Sequence, residues 1–142
     1  EKLYLSLKKL DLNNADLKEY YTLSHKLGIV PKNLNQLQNK AFGIECNYDE
    51  LNGIDFKKGC YVGQENTARM KLKNKIRRQL MSIKTEKIVK IGDEIKYNDI
   101  VIGKILIDKP YPFALIKLFD PEFSIFKDKK LKINNINVEI VS

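Results

Sequence analysis

Apolar positions along the chain follow two rhythms, and the change falls near residue 76. Before it they are spaced as on helices or scattered through loops; after it they come in short β-branched runs. Leu3-Tyr4-Leu5-Ser6-Leu7 is an imperfectly alternating strand candidate. Asn13 or Asn14 can cap the helix that follows, because the side-chain oxygen accepts a free N–H of the first turn. The spacing predicts that helix over 15–27, with Leu17, Tyr20, Tyr21, Ser24 and Leu27 as its inward stripe and Asp16 and Glu19 near its positive end. Gly28 is the natural stop, with Pro31 three residues on. His25 lies in the last turn and reads as a surface or capping histidine whose positive ring the helix dipole favours. Residues 33–63 are loop-rich, with turns at Asn47, Asn52-Gly53 and Gly59, and a second helix is predicted over about 63–73.

From residue 76 the pattern predicts strands at Ile76–Lys84, Glu94–Tyr97, Ile100–Asp108, Phe113–Leu118, Leu131–Ile133 and Ile136–Val141. Turn signals at Gly92-Asp93, Asn98-Asp99, Pro110 to Pro112, Asp120-Pro121 and Asn134-Asn135 separate them. Short strands with tight turns suggest a small antiparallel barrel or sandwich. The chain therefore divides into an α+β part, 1–75, and a β part, 76–142. Tyr97, Tyr111, Phe113, Phe119, Phe123 and Phe126 are assigned to core or turn packing in that β part.

The chain has 142 residues, of which 43% are apolar and 31% charged, and this places it in the ordinary globular class. Its longest apolar candidate, Ile100 to Ile107, is strand-sized and broken by Lys104, well short of the ~20 residues a membrane helix needs. No signal peptide is visible in the first residues, so the chain reads as soluble and cytoplasmic. Glu1 in place of Met reads as a processed chain or a piece of a longer one. Net charge is +8, which invites a nucleic-acid reading. Yet 23 of the 26 basic residues are Lys, and Lys, Asn and Ile are inflated together, as AT-rich codons would produce. A phosphate-gripping surface would be expected to use more Arg. Eight basic residues and one acidic residue lie between Lys57 and Arg78; they read first as a solvated lysine face and second as an anion surface.

Two cysteines and one histidine are too few for a closed zinc site, so no metal site is expected. Cys46 reads as an inert, buried, small hydrophobe. Cys60 differs, since it stands between Gly59 and Gly63, beside Lys57 and Lys58, and just before a helix N-terminus. The glycines allow close backbone approach, and the lysines and helix dipole favour thiolate. Gln64 and Glu65 add an amide and a carboxylate able to hydrogen-bond a polar ring or a backbone amide.

Lys58-Gly59-Cys60-Tyr61-Val62-Gly63-Gln64-Glu65 resembles the K-G-C-[FY]-x-G-Q-E signature of the YgfZ family, folate-binding proteins related to the aminomethyltransferase (T protein) of the glycine cleavage system. Gly28-Ile29, Leu51 to Phe56 and Ala68-Arg69 extend the resemblance to about residues 26–80. It implies a partial ferredoxin-like α+β region followed by a small antiparallel β-barrel, the C-terminal half of a protein built around a folate-sized channel. It also implies tetrahydrofolate as ligand and support of iron–sulfur cluster assembly or repair in client enzymes, one of which modifies tRNA by methylthiolation. On that resemblance Cys60 is the functional thiol, Lys58, Gly59, Tyr61, Gly63, Gln64 and Glu65 shape its folate-side loop and Arg69 lies on the helix behind it, these seven being the expected cofactor-binding residues. Tyr61 is placed to stack on a pterin ring. Expected partners are folate and iron–sulfur client enzymes or cluster carriers; neither a membrane nor direct nucleic-acid binding is expected. An accessory role is preferred over enzyme catalysis. The alternatives are a folate-dependent aminomethyltransferase-like transferase and a basic β-barrel module that binds RNA or protein.

Overall fold

A computed structural model describes residues 16–59, 62–72 and 76–141. The architecture is α+β and its centre is a closed antiparallel barrel of six strands. These are β1 (Arg78–Thr85), β2 (Glu94–Tyr97), β3 (Ile100–Ile107), β4 (Phe113–Lys117), β5 (Leu131–Ile133) and β6 (Ile136–Ile140), in the order β1-β4-β3-β2-β5-β6. The ring closes where Ile83, Lys84 and Thr85 of β1 pair with Ile140, Glu139 and Val138 of β6. Closure leaves no free edge to pair with another chain. Asn98 and Asp99 join β2 to β3 with φ of 48° and 65°, the two left-handed residues of the tight hairpin turn that suits twisted strands.

Alternation sorts the strand residues into two cores. Met81, Ile83, Ile95, Ile102, Ile105, Ala114, Ile116, Leu131, Ile133 and Val138 point into the barrel, where Phe126 from the short helix α3 (Phe123–Phe126) plugs them. Leu80, Leu106, Ile107, Phe113 and Leu115 point outward and are equally buried, because Leu37, Cys46, Val30 and Ala41 cover them. That outer cover explains why Phe113 to Ile116 form an unbroken buried run in β4. Phe119 is exposed, contrary to the packing role assigned to it.

Gly103 faces the crowded interior. A Cβ there would stand 2.5 Å from Ile116 Cδ1 and 3.0 Å from the Leu115 carbonyl oxygen. The first contact is relieved by a rotamer change; the second is against backbone. Gly103→Ala is expected to cost about 1–3 kcal/mol in urea unfolding, as overpacked cores do.

Ahead of the barrel, α1 spans Leu17–Lys26 and α2 spans Gln64–Leu72; single 3-10 turns occupy Leu34–Leu37 and Gly43–Cys46. Among the described residues no strand precedes Arg78, and the Leu3–Leu7 candidate lies outside them. Asp16 caps α1, its carboxylate accepting from Lys18 N at 3.2 Å, while Asn13 and Asn14 lie outside the described residues. Gly28, at φ 69°, ends the helix as expected. The predicted stripe holds only in part: Ser24 is buried, but Leu17 and Tyr20 are exposed. The reason is that α1 meets the barrel through its last turn rather than along one face.

His25 makes that junction. Its Nε2–H donates to the Pro112 carbonyl at 3.1 Å, and its ring lies 5.1 Å from Tyr111 and 5.2 Å from Phe113. Its own carbonyl accepts from Ser82 Oγ. The expected positive surface ring is therefore corrected: desolvation by burial lowers the His25 pKa from 6.5, and hydrogen bonds to the Pro112 and Ile83 backbone offset this only partly. A lowered pKa means the unfolded chain binds more protons. This contribution to stability is thus complete above pH 6.5 and lost as pH falls from there toward the lowered folded value. Urea unfolding at pH 7.5 and 5.5 is expected to show a larger acid loss for the parent than for His25→Gln.

Candidate functional site

The motif segment lies on the surface beside the covered face of the barrel, and α2 holds it there. No residue of α2 is buried, so apolar packing does not fix the helix. Instead Lys71 Nζ reaches Asp49 at 2.8–2.9 Å and sits 4.0 Å above the Phe56 ring. Asp49 and Phe56 belong to the loop that leads into the motif, so one lysine ties its entry to its exit. Asp55 Oδ1 accepts from Lys57 N at 2.9 Å, closing a turn just before the lysine pair.

Cys60 and Tyr61 lie outside the described residues, so the thiol and the stacking ring remain expectations. Around them, Lys58, Gly59, Gly63, Glu65 and Arg69 are exposed and Gln64 is half-buried. Gln64 Nε2 reaches back toward the Lys58 carbonyl at 3.5 Å, spanning the cysteine position. Gly63 takes φ 87°, which an L side chain resists, and α2 begins at the next residue as the sequence predicts. Glu65 is engaged: its Oε1 accepts from Arg69 Nη2 at 2.7 Å, a favourable Glu-before-Arg pair one helical turn apart. The carboxylate and guanidinium assigned to the folate-side loop thus neutralise each other on the helix surface.

The same accounting changes the basic stretch. Arg69 pairs with Glu65, Lys71 with Asp49 and Arg78 with Glu45, so three of its eight cations are locally compensated.

Of two residues beneath the site, Glu45 is not singled out by the sequence and Asn47 only as a turn. Glu45 is buried at 2% exposure, and its two oxygens accept from Arg78 Nε and Nη2 at 3.0 and 3.1 Å. Its Oε2 also accepts from Phe42 N at 2.9 Å. Asn47, at φ 63°, donates through Nδ2 to the carbonyls of Gly28 at 3.4 Å and Leu80 at 2.9 Å; its Oδ1 accepts from Gln79 at 2.9 Å. Together they bind the segment before the motif to β1. Cys46 lies between them, buried and free, with its thiol pushed up to about 11 by desolvation and by the neighbouring Glu45 charge. It is chemically quiet, as the sequence suggests. Among the described residues no group of three or more His, Cys, Asp or Glu is placed to hold a metal ion. No helix among them is long and apolar enough to cross a membrane.

No family model matches the chain. It is similar to iron-sulfur cluster assembly factor IBA57 homolog, mitochondrial, of Neurospora crassa, with 38% identity over 73 residues, 49% of this chain and 17% of that protein. The mouse iron-sulfur cluster assembly factor IBA57, mitochondrial, is 37% identical over 72 residues, 51% of this chain and 20% of its own. The Dictyostelium discoideum homolog is 37% identical over 70 residues, 46% and 17% respectively. The match therefore covers about half of this chain and no more than a fifth of each of these relatives. These relatives are mitochondrial by name, which overturns the cytoplasmic expectation. Compartment is set by targeting segments that are read and removed separately from the fold, so globular composition carried no information on it.

Proposed function

We propose that this chain is part of a folate-linked factor that supports assembly or repair of iron–sulfur clusters in client enzymes, including one that methylthiolates tRNA. The similarity to iron-sulfur cluster assembly factors carries the first half of this reading. The resemblance of residues 58–65 to the folate-binding family's signature carries the second. In this reading Cys60 is the working thiol. Lys57 and Lys58 beside it and the start of α2 behind it favour its thiolate form. Residues 1–75 are the end of a ferredoxin-like folate-binding region and 76–142 are the barrel domain that supports it. The partners are iron–sulfur client enzymes or cluster carriers.

Tetrahydrofolate is the proposed ligand of the longer protein. The described motif residues do not enclose one by themselves. All but the half-buried Gln64 are exposed, and among the described residues nothing stands within 4 Å of where a Cβ on Gly59 or Gly63 would be. Glu65 is also committed to Arg69. These residues form at most one wall of a folate site, and no chemical step is assigned to the ligand.

The test is complementation by the full-length protein in cells lacking their own factor of this kind, read as cluster-dependent dehydratase activity and methylthiolated tRNA. Restoration of both is expected. Failure to restore them, together with robust turnover of tetrahydrofolate and an aminomethyl donor by the purified protein, would replace this reading with the transferase one.

A further inference from the structure

A groove of about 550 Å³ runs along the outer face of β2, β3 and β4, where Lys40 of the covering segment forms its lip. That volume lies in the ~300–1,000 Å³ range of small-molecule sites. Its floor is apolar, made by Val101, Leu106 and Leu115. Its rim carries four cations, Lys40, Lys104, Lys117 and the Glu45-paired Arg78, and one carboxylate, Glu94, which stands opposite Lys104 in the β2–β3 register. None of its lining residues belongs to the motif segment.

Two of those cations are already held by hydrogen bonds. Glu45 grips Arg78 through two hydrogen bonds. Lys117 Nζ donates to the Val101 carbonyl at 3.0 Å, which holds the ammonium at the groove. Lys104 is exposed at the rim, its Cε near Gly92. Side chains ordered in advance lose less entropy on meeting a ligand.

We propose that this groove binds an amphipathic small anion, with a flat apolar or aromatic body against Val101 and Leu115 and its acid group between Lys104 and Lys117. A neutral apolar compound would leave the ammonium groups unanswered, and a cation would be repelled. Among the described residues no aromatic side chain lines the groove for base stacking, so this lining does not suit single-stranded nucleic acid. The closed barrel offers no edge for a peptide strand.

The 142-residue chain is titrated with 8-anilinonaphthalene-1-sulfonate and, separately, with uncharged N-phenyl-1-naphthylamine, both followed by fluorescence. The sulfonate is expected to bind saturably at one site and at least tenfold more tightly than the neutral probe. In Lys104→Glu/Lys117→Glu its affinity should fall at least tenfold, and in Lys129→Glu/Lys130→Glu, on another face, it should hold. Lys104→Gln/Lys117→Gln, with folding checked by urea unfolding, replaces the charge reversal if that variant does not fold. Equal affinity for the two probes overturns the proposal. So does unchanged sulfonate binding in the folded glutamine variant, or an equal loss in the distant double variant.

Discussion

Arg78→Met is expected to lower the stability of the chain by about 3–4 kcal/mol, against about 2 kcal/mol for Glu45→Gln. The asymmetry follows from where the two charges sit. The Glu45 side chain is 3% exposed and cannot recover its hydration when the guanidinium goes, whereas the Arg78 side chain is 42% exposed and turns to water. Removing the arginine therefore strands a buried carboxylate whose only other donor among the described residues is Phe42 N. Glu45→Gln keeps the shape and an acceptor for that amide but loses the paired, charge-assisted bonds. Equilibrium urea unfolding of both variants and their double combination checks this. The double variant should be less destabilised than the sum, since each change removes the other's penalty. Equal costs for the two single changes would mean that the pair is effectively solvated.

Asn47→Ala is the second large effect, expected at about 3 kcal/mol. It removes hydrogen bonds to Gly28, Leu80 and Gln79, each worth about 0.5–1.5 kcal/mol. It also forces alanine into φ 63°, a region Asn tolerates and Ala resists by about 1–2 kcal/mol. Asn47→Gly separates the two contributions, because glycine accepts the backbone conformation while losing the same bonds. Glycine should recover part of the loss in urea unfolding; recovery of all of it would show that the hydrogen bonds contribute nothing.

These two positions also mark what the sequence could and could not disclose. The barrel was legible because strand alternation and turn residues are local signals. Glu94–Tyr97 and Leu131–Ile133 appear where expected, and the other strands end within two residues of expectation. The helix after Gly63 was legible for the same reason. Glu45 was not, and Asn47 only as a turn, since their partners Arg78, Gln79 and Leu80 are more than thirty residues away and nothing nearby announces the pairing. His25 failed similarly: a local dipole argument favoured its charge, but the distant Pro112, Tyr111 and Phe113 supply the environment that opposes it. The Asn excess matches codon bias, yet several Asn also stand at the turn signals. Among the described residues all eight non-glycine residues with positive φ are Asn or Asp, six of them Asn, so composition also serves the turns. In the motif, the order of residues pointed to a thiol-centred loop, but the pairing of Glu65 with Arg69 became visible only once the helix was built.

The buried ties and the surface motif form one arrangement. Glu45 and Asn47 fasten the segment before the motif to β1, and Lys71 fastens α2 to Asp49 in that segment. The barrel thus acts as a rigid base for an exposed loop, a common relation between scaffold and function. The Cys46 thiol, with its raised pKa and 6% exposure, is closed to a partner protein.

The most direct measurement of the proposed role compares the full-length protein with its Cys60→Ser and Cys46→Ala variants in cells lacking their own factor, scored by cluster-dependent dehydratase activity and methylthiolated tRNA. The parent and Cys46→Ala are predicted to restore both, and Cys60→Ser, expressed to the same level, neither. Restoration by Cys60→Ser to the parent's level would contradict the assignment of function to this thiol.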